Sequence, residues 1–343
     1  MVTKKIKIDS QKATPELLND AAEIIRSGGL VAFPTETVYG LGADAFNEEA
    51  VKKIYKAKGR PSDNPMIVHI ADKGDILNVC SEVPPAARLL MEKFSPGPIT
   101  YILKKNKSVN DTVTAGLDTV AVRIPSDNTA RALIKAAGVP IAAPSANLSG
   151  KPSPTRAAHV SEDMDGRIEC IIDGGDCDIG VESTVIDMTG EFPVILRPGG
   201  ITIEMIKEYI PSAVENTRLT GDIPKSPGMK YRHYAPNASV TVVEGDKRDA
   251  VLKKICSLCE ENGGKRIGVI LRDKTEFPIC ADFILYAGRT GSEYASKLFA
   301  LLRECDDKNA ELVIAETDRS EGINTAVRNR IYKSAADNVI QVF

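Results

Sequence analysis

The 343-residue chain has no tryptophan, and aromatic residues make up only 5% of it. Its three histidines stand at 69, 159 and 233, too scattered for a local histidine metal cluster. It has no GxxxxGK(S/T) phosphate loop and no GxGxxG after a strand, which excludes the two commonest glycine-built nucleotide cradles. GLGA at 40–43 has the wrong spacing, and Gly263-Gly264-Lys265 lacks the upstream glycine. Apolar runs such as LVAF and FILYA are far too short to cross a bilayer. The opening MVTKKIKIDSQK carries charge but no apolar stretch behind it, so no signal peptide is expected. Seven cysteines, an odd number at irregular spacing, suit a reducing cytoplasm better than a disulfide framework. Cys256 and Cys259 form a CxxC without a matching second pair and read as ordinary helical cysteines. A net charge of −3 rules out a broadly basic surface, so any polyanion site must be a local patch.

What is present is an alternation of helices and strands. Helices are expected over 15–27, 47–57, 85–94, 128–137 and 202–210 from their caps and periodicity. Strands are expected at 30–34, 66–70, 99–103, 119–124, 140–144, 168–173, 183–188 and 193–197. A stretch rich in Pro, Gly, Asn and Ser follows, and then a second α/β pattern begins near 240. The expectation is an α/β protein: a twisted mixed sheet flanked by helices over residues 1–211, a linker or lid over 212–238, and a smaller Rossmann-like α/β domain over 239–343.

Four stretches gather polar residues at strand ends. FPTETVYGLGADAFN (33–47) clusters Thr35, Glu36, Thr37 and Tyr39 behind a strand, where ligands collect in open α/β sheets. KAKGRPSDNPMIVH (56–69) sets Lys58 and Arg60 past a helix end, with Pro61 and Pro65 stiffening the loop and Ser62 and Asn64 offering hydrogen bonds. The helix dipole alone accounts for such cations, but a stiff loop with a lysine point charge and a forked arginine also suits phosphate oxygens. APSANLSGKPSPT (143–155) places Ser145, Asn147, Ser149, Ser153 and Thr155 directly after a buried strand. In the stretch 175–200, Glu182, Ser183 and Thr184 open one strand, and Arg197 closes the next before Pro198-Gly199-Gly200; Arg123 likewise ends a strand. Such arginines are either surface ion pairs of small worth or forks for a carboxylate or phosphate.

Taken together, PTETVYGLG, the Lys58-x-Arg60 pair with its NP and His69, PSANLSG, ESTV and RPGG resemble the YrdC-like threonylcarbamoyl-AMP synthases, in that family's order. SPGMKYRHYAP (226–236) and the trailing α/β region are similar to the family's longer, two-domain form. The resemblance implies that L-threonine, bicarbonate and ATP give L-threonylcarbamoyl-AMP, pyrophosphate and water, for modification of tRNA adenosine beside the anticodon. A separate transferase complex then acts on the tRNA, so tight tRNA binding by this chain is not required. By the same resemblance, Thr35, His69, Arg123, Ser145 and Ser183 contact threonine, with Arg123 on its carboxylate. Lys58, Ser62, Thr119, Asn147, Thr155 and Arg197 contact ATP, with Lys58 and Arg60 as the catalytic cations toward the phosphates. Tyr231 comes from the linker, where Lys230, His233 and Tyr234 complete the lid. One departure is Ser95, where the family often has tryptophan.

The chemistry agrees with the residue types. A carbamate of threonine is already an anionic nucleophile and needs no strong base. It does need cations to bring it to the α-phosphorus of ATP, with Mg2+ expected alongside them, and a lid to keep out water. Two other readings compete. A carbamoyl-AMP-forming domain belongs with tandem CxxC pairs, which are missing. A non-catalytic module binding double-stranded RNA or tRNA leaves the hydroxyl-rich turns poorly explained.

Overall fold

The computed structural model describes residues 2–216 and 233–343. The chain divides into two compact units, Met1–Ser149 with Ser153–Lys230 and Gly150–Pro152 with Tyr231–Phe343.

The first unit is built on strands β1 (Lys4–Lys7), β2 (Val31–Phe33), β3 (Gly40–Asp44), β4 (Ile67–His69), β5 (Ile99–Lys104), β6 (Thr119–Arg123), β7 (Ile141–Ala142), β8 (Cys170–Asp173), β9 (Thr184–Asp187), β10 (Val194–Arg197) and β11 (Val214–Glu215). They form one mixed sheet in the order β1-β8-β2-β3-β7-β4-β6-β5-β9-β10-β11. The helices start and stop where side chains satisfy free backbone groups. Asn47 caps Glu48–Lys58 by accepting from the Ala50 N–H at 3.1 Å, and Gly59 ends that helix in the left-handed region. Asp127 does the same for Asn128–Ala137, accepting from Ala130 N–H at 2.9 Å, and Gly138 closes it.

The two faces of this sheet are covered differently. One buries Leu41, Val68, Val122, Tyr101 and Ile186 beneath helices Glu48–Lys58, Pro85–Phe94, Ala157–Met164 and Ile203–Lys207. On the other, helices Asn19–Arg26 and Asn128–Ala137 cover Val31, Phe33, Ile141 and Cys170, at the β8-β2-β3-β7 end only. Further along that face the apolar cluster is made of strand residues alone: Ile67, Ile102, Ala121 and Val185, with Leu196 against them. His69 and Arg123 follow Ile67 and Ala121 by two residues and so share the face of this patch.

The second unit has five parallel strands, β12 (Ser239–Gly245), β13 (Ile267–Leu271), β14 (Phe283–Tyr286), β15 (Leu312–Thr317) and β16 (Val339–Val342), in the order β14-β13-β15-β12-β16. Helix Arg248–Glu261 and residues Phe277, Ile279 and Ala281 pack on one face, around Val243, Val269 and Ile314. A mixed sheet with helices plus a smaller parallel α/β unit is the fold class read from the sequence.

Some local expectations need correction. The stretch 15–27 is a short 3-10 turn, Glu16–Leu18, followed by a helix over Asn19–Arg26. Gly40–Asp44, where no strand is expected from the sequence, is an inner strand of the sheet. A Cβ at Gly42 would stand 2.7 Å from Ile141 and 2.8 Å from Phe33, so its glycine serves close packing on a strand, not a turn. The charged strand β1, the helix Ala157–Met164 and the final strand β16 also have no clear period in the sequence. Cys256 and Cys259 do lie on a helix, Cys259 in the core, and among the described residues no group of three or more His, Cys, Asp or Glu could hold a metal ion.

Candidate active site

Register places the key side chains. Residues paired across strands point to the same face of a sheet. His69 on β4 pairs with Arg123 on β6, and Arg123 pairs with Thr100 on β5. Thr100 pairs with Val185 on β9, which pairs in turn with Arg197 on β10. In the other direction His69 pairs with Ile141 on β7, so Ser145, four residues on, returns to the same face, opposite Gly40. Thr119 begins β6 and shares the face of Arg123 by alternation. His69, Thr119, Arg123, Ser145, Ser183 and Arg197 therefore share one face, the one with the strand-only patch. Ser183 joins through its hydroxyl, 2.8 Å from that of Thr100.

Arg123 is the centre of this row and is 4% exposed. Its NH1 donates to Thr37 Oγ1 at 2.8 Å, and its NH2 lies 2.9 Å from Glu36 Oε1 in a buried ion pair. Its Nε has no hydrogen-bond partner among the described residues. Next to it, His69 is 3% exposed, its ring edge-on to Phe33 at 6.2 Å, and its Nδ1 is also without a partner there. Burial, reinforced by the Arg123 charge, pulls the His69 pKa down to about 3, so the imidazole is neutral at physiological pH. Two buried donors or acceptors left open side by side are costly in a folded protein unless a ligand or water meets them.

Thr35 anchors the loop that grips Arg123. Its hydroxyl donates to Val38 O at 2.7 Å and sits 2.8 Å from the Thr37 hydroxyl. The backbone then ties three of the four polar stretches together. Tyr39 N–H donates to Pro154 O, Ala146 N–H to Tyr39 O, Cys177 N–H to Thr155 O, and Ile179 and Gly180 N–H to Glu36 O and Thr37 O.

The fourth stretch enters through Lys58. Its ammonium is buried, 3% exposed, and donates to Ser145 O and Asn147 O, each at 2.5 Å, with Asn147 Oδ1 at 3.4 Å. A buried cation needs acceptors, and here the end of the PSAN strand supplies them. Ser145 Oγ donates to the same Asn147 Oδ1 at 2.5 Å. Arg60 folds onto its own loop, its NH2 donating to Asn64 O at 3.2 Å and Pro65 O at 3.1 Å. Ser62 is exposed at the tip of that loop, whereas Thr155 is buried, with its N–H directed at His159 Nδ1 at 3.4 Å. Arg197 is 5% exposed and clasps Ser183, with Nε and NH2 donating to Ser183 O at 3.1 and 2.9 Å. Gly199 explains the RPGG turn, since a Cβ there would lie 2.2 Å from Thr184 N and 2.5 Å from the Ser183 carbonyl carbon.

Of the lid residues, Lys230 and Tyr231 lie outside the described residues. Tyr234 stacks on Phe299 at 5.1 Å within the second unit, and His233 lies tilted against it at 5.7 Å. Sequence reasoning left Glu36, Thr37 and Thr100 out of the site. The first two stand in the PTETVYG cluster, where their polarity was visible; Thr100 is marked only by strand register.

Two family models match. One, described as "Telomere recombination" (Sua5_yciO_yrdC), covers residues 23–199, and the other, "Threonylcarbamoyl-AMP synthase, C-terminal domain", covers 201–336. The threonylcarbamoyl-AMP synthase of Pyrococcus abyssi is 50% identical over 327 residues, 94% of this chain and 95% of its own length. That of Bacillus subtilis is 47% identical over 94% of this chain and 93% of its own length. The crystal structure of P. abyssi Sua5 complexed with L-threonine superposes with a TM-score of 0.93 at 46% identity, covering 100% of both chains. The chain belongs to the threonylcarbamoyl-AMP synthase family, in its two-domain form.

Proposed function

We propose that the strand-only face of the first sheet is where this chain joins L-threonine, bicarbonate and ATP into L-threonylcarbamoyl-AMP, releasing pyrophosphate and water. The synthase activity is that of its relatives. The observation that carries the site reading is the pair of open, buried groups in register, Arg123 Nε and His69 Nδ1. A guanidinium with a free Nε edge suits the threonine carboxylate. A neutral imidazole beside it offers a hydrogen bond without a second charge. The hydroxyls of Thr35, Ser145 and Ser183 line the same place and suit the rest of the amino acid.

The reaction proceeds in two stages. Bicarbonate takes up a proton and gives up water to leave CO2, and the threonine nitrogen bonds to that carbon and loses a proton, which leaves a carbamate anion. A carbamate oxygen then bonds to the α-phosphorus of ATP as the bond from that phosphorus to the bridging oxygen breaks, and pyrophosphate leaves with the electron pair. Anion meets anion, so nearby positive charge lowers the barrier. Arg197 and Lys58 sit with Ser183 and Asn147 at the two sides of the row, and Arg60 is in the loop after Lys58. ATP then lies against Lys58, Arg60, Ser62, Thr119, Asn147, Thr155 and Arg197. Lys58 acts from beneath the PSAN turn by charge and by holding that turn in place.

Mg2+ is expected with ATP. The described residues offer no group of three or more acidic, His or Cys ligands to hold such an ion, which would come with the ATP phosphates and add positive charge there. A lid from Tyr231, with Lys230, His233 and Tyr234 near it, would keep water from the carbamate. The product feeds a separate transferase that modifies tRNA. Among the described residues no helix is long and apolar enough to cross a membrane, and seven cysteines, an odd number at irregular spacing, suit a reducing cytoplasm.

The test is threonine-dependent pyrophosphate release from ATP in bicarbonate buffer, repeated with R123A. The expected result is release in the wild type and a large rise in the threonine KM of R123A. Release that ignores threonine would overturn the reading.

A further inference from the structure

Glu36 is absent from the set of substrate-contacting residues proposed above, yet it holds the most constrained place in the site. It is 6% exposed, and its main-chain oxygen accepts from Ile179 N–H at 2.9 Å, which pins the loop at this residue. Its carboxylate stands 2.9 Å from Arg123 NH2, while the next residue, Thr37, accepts from Arg123 NH1 at 2.8 Å. Two consecutive residues therefore grip two nitrogens of one planar guanidinium. Thr37 does so by a hydrogen bond to NH1 and Glu36 by an ion pair to NH2 that lacks hydrogen-bond geometry, whereas Nε has neither kind of partner among the described residues.

Glu36 also lines a strongly acidic cleft of about 550 Å³, whose walls include Asp9, Asp127, Asp173, Asp176 and Asp178, with Lys7 as their one cationic side chain. Burial, with help from Glu36 and Asp178, also raises the Asp127 carboxyl to about 6, consistent with crowded negative charge on this wall.

We propose that Glu36 is a positioning residue for threonine recognition: it holds the Arg123 guanidinium with its Nε edge turned to the substrate carboxylate. This rests on the reading that Arg123 binds that carboxylate. The role is geometric, which separates the variants. Glu36→Gln keeps the length and an oxygen at the same place beside Arg123 NH2 but loses the charge. Glu36→Asp keeps the charge but withdraws the carboxylate by one methylene. Glu36→Ala loses both.

The experiment measures threonine and ATP binding to the full chain by calorimetry, with the KM of each from pyrophosphate release, for these three variants and R123A. Expected is a roughly tenfold or larger weakening of threonine binding in E36A and E36D, the scale of one misplaced charged contact to the substrate. E36Q should lie within about threefold of wild type, and ATP binding should move by less than about twofold throughout. If E36A and E36D bind threonine like the wild type while R123A does not, the proposal is overturned and the Arg123 reading survives. If R123A itself binds threonine normally, that underlying reading fails. Equal losses for threonine and ATP, with E36Q no better than E36A, would show a merely structural role and also overturn the proposal.

Discussion

At the scale of single residues, two buried groups give separate tests. His69 has a folded-state pKa near 3 against an ordinary value near 6.5. Above about pH 6.5 it is neutral whether folded or unfolded. Below that, the unfolded chain takes up a proton that the native protein refuses, so stability falls as pH drops toward 3, by about 1.4 kcal/mol per pH unit. Asp127 acts in the opposite sense between about pH 4 and 6, because its raised carboxyl holds a proton in the native state that the unfolded chain has released. The informative quantity is the difference in unfolding free energy between wild type and H69Q. It should slope with pH below about 6 and be flat above about 7; a difference flat throughout contradicts the buried neutral imidazole. Lys58 is tested by K58A. Loss of a buried ammonium that braces Ser145 and Asn147 should lower the rate of pyrophosphate release by at least roughly tenfold, and a wild-type rate would return the loop to an ordinary helix-end cation pair.

At the scale of elements, the RPGG turn lets Arg197, at the end of β10, meet Ser183, the residue before β9. Gly199 approaches the backbone of residues 182–184 too closely for any side chain. G199A should cost about 1–3 kcal/mol in denaturant unfolding, as overpacking against unyielding backbone does, and should slow turnover by displacing Ser183 from Thr100. Unchanged stability would mean the turn has room that its geometry denies. This is also the scale at which the sequence was most and least legible. Helices with an explicit cap and stop, such as the one from Asn47 to Gly59, could be read directly, because local hydrogen bonds decide them. Gly40–Asp44 could not, because its glycines answer to Phe33 and Ile141 on neighbouring strands. The same holds for the site. PTETVYG, PSANLSG and RPGG announce themselves by local polarity. The alignment of His69 with Arg123, and the grip of Glu36 on that arginine, come from strand pairing between residues far apart in the chain.

At the scale of the molecule, a chain with net charge −3 sets two buried arginines, Arg123 and Arg197, on the sheet face whose apolar cluster is made of strand residues, with Lys58 reaching the end of the neighbouring strand. That arrangement suits small anionic substrates better than the phosphate track of a folded RNA, which calls for a broad basic surface. The most direct test of the whole account is the rate of pyrophosphate release by the full chain with ATP and bicarbonate, measured with and without L-threonine at low and physiological salt. The account predicts release that depends on threonine and bicarbonate together, gives threonylcarbamoyl-AMP in equal amount, and needs no RNA. Pyrophosphate formed equally well without threonine, or only when tRNA is present, would contradict it.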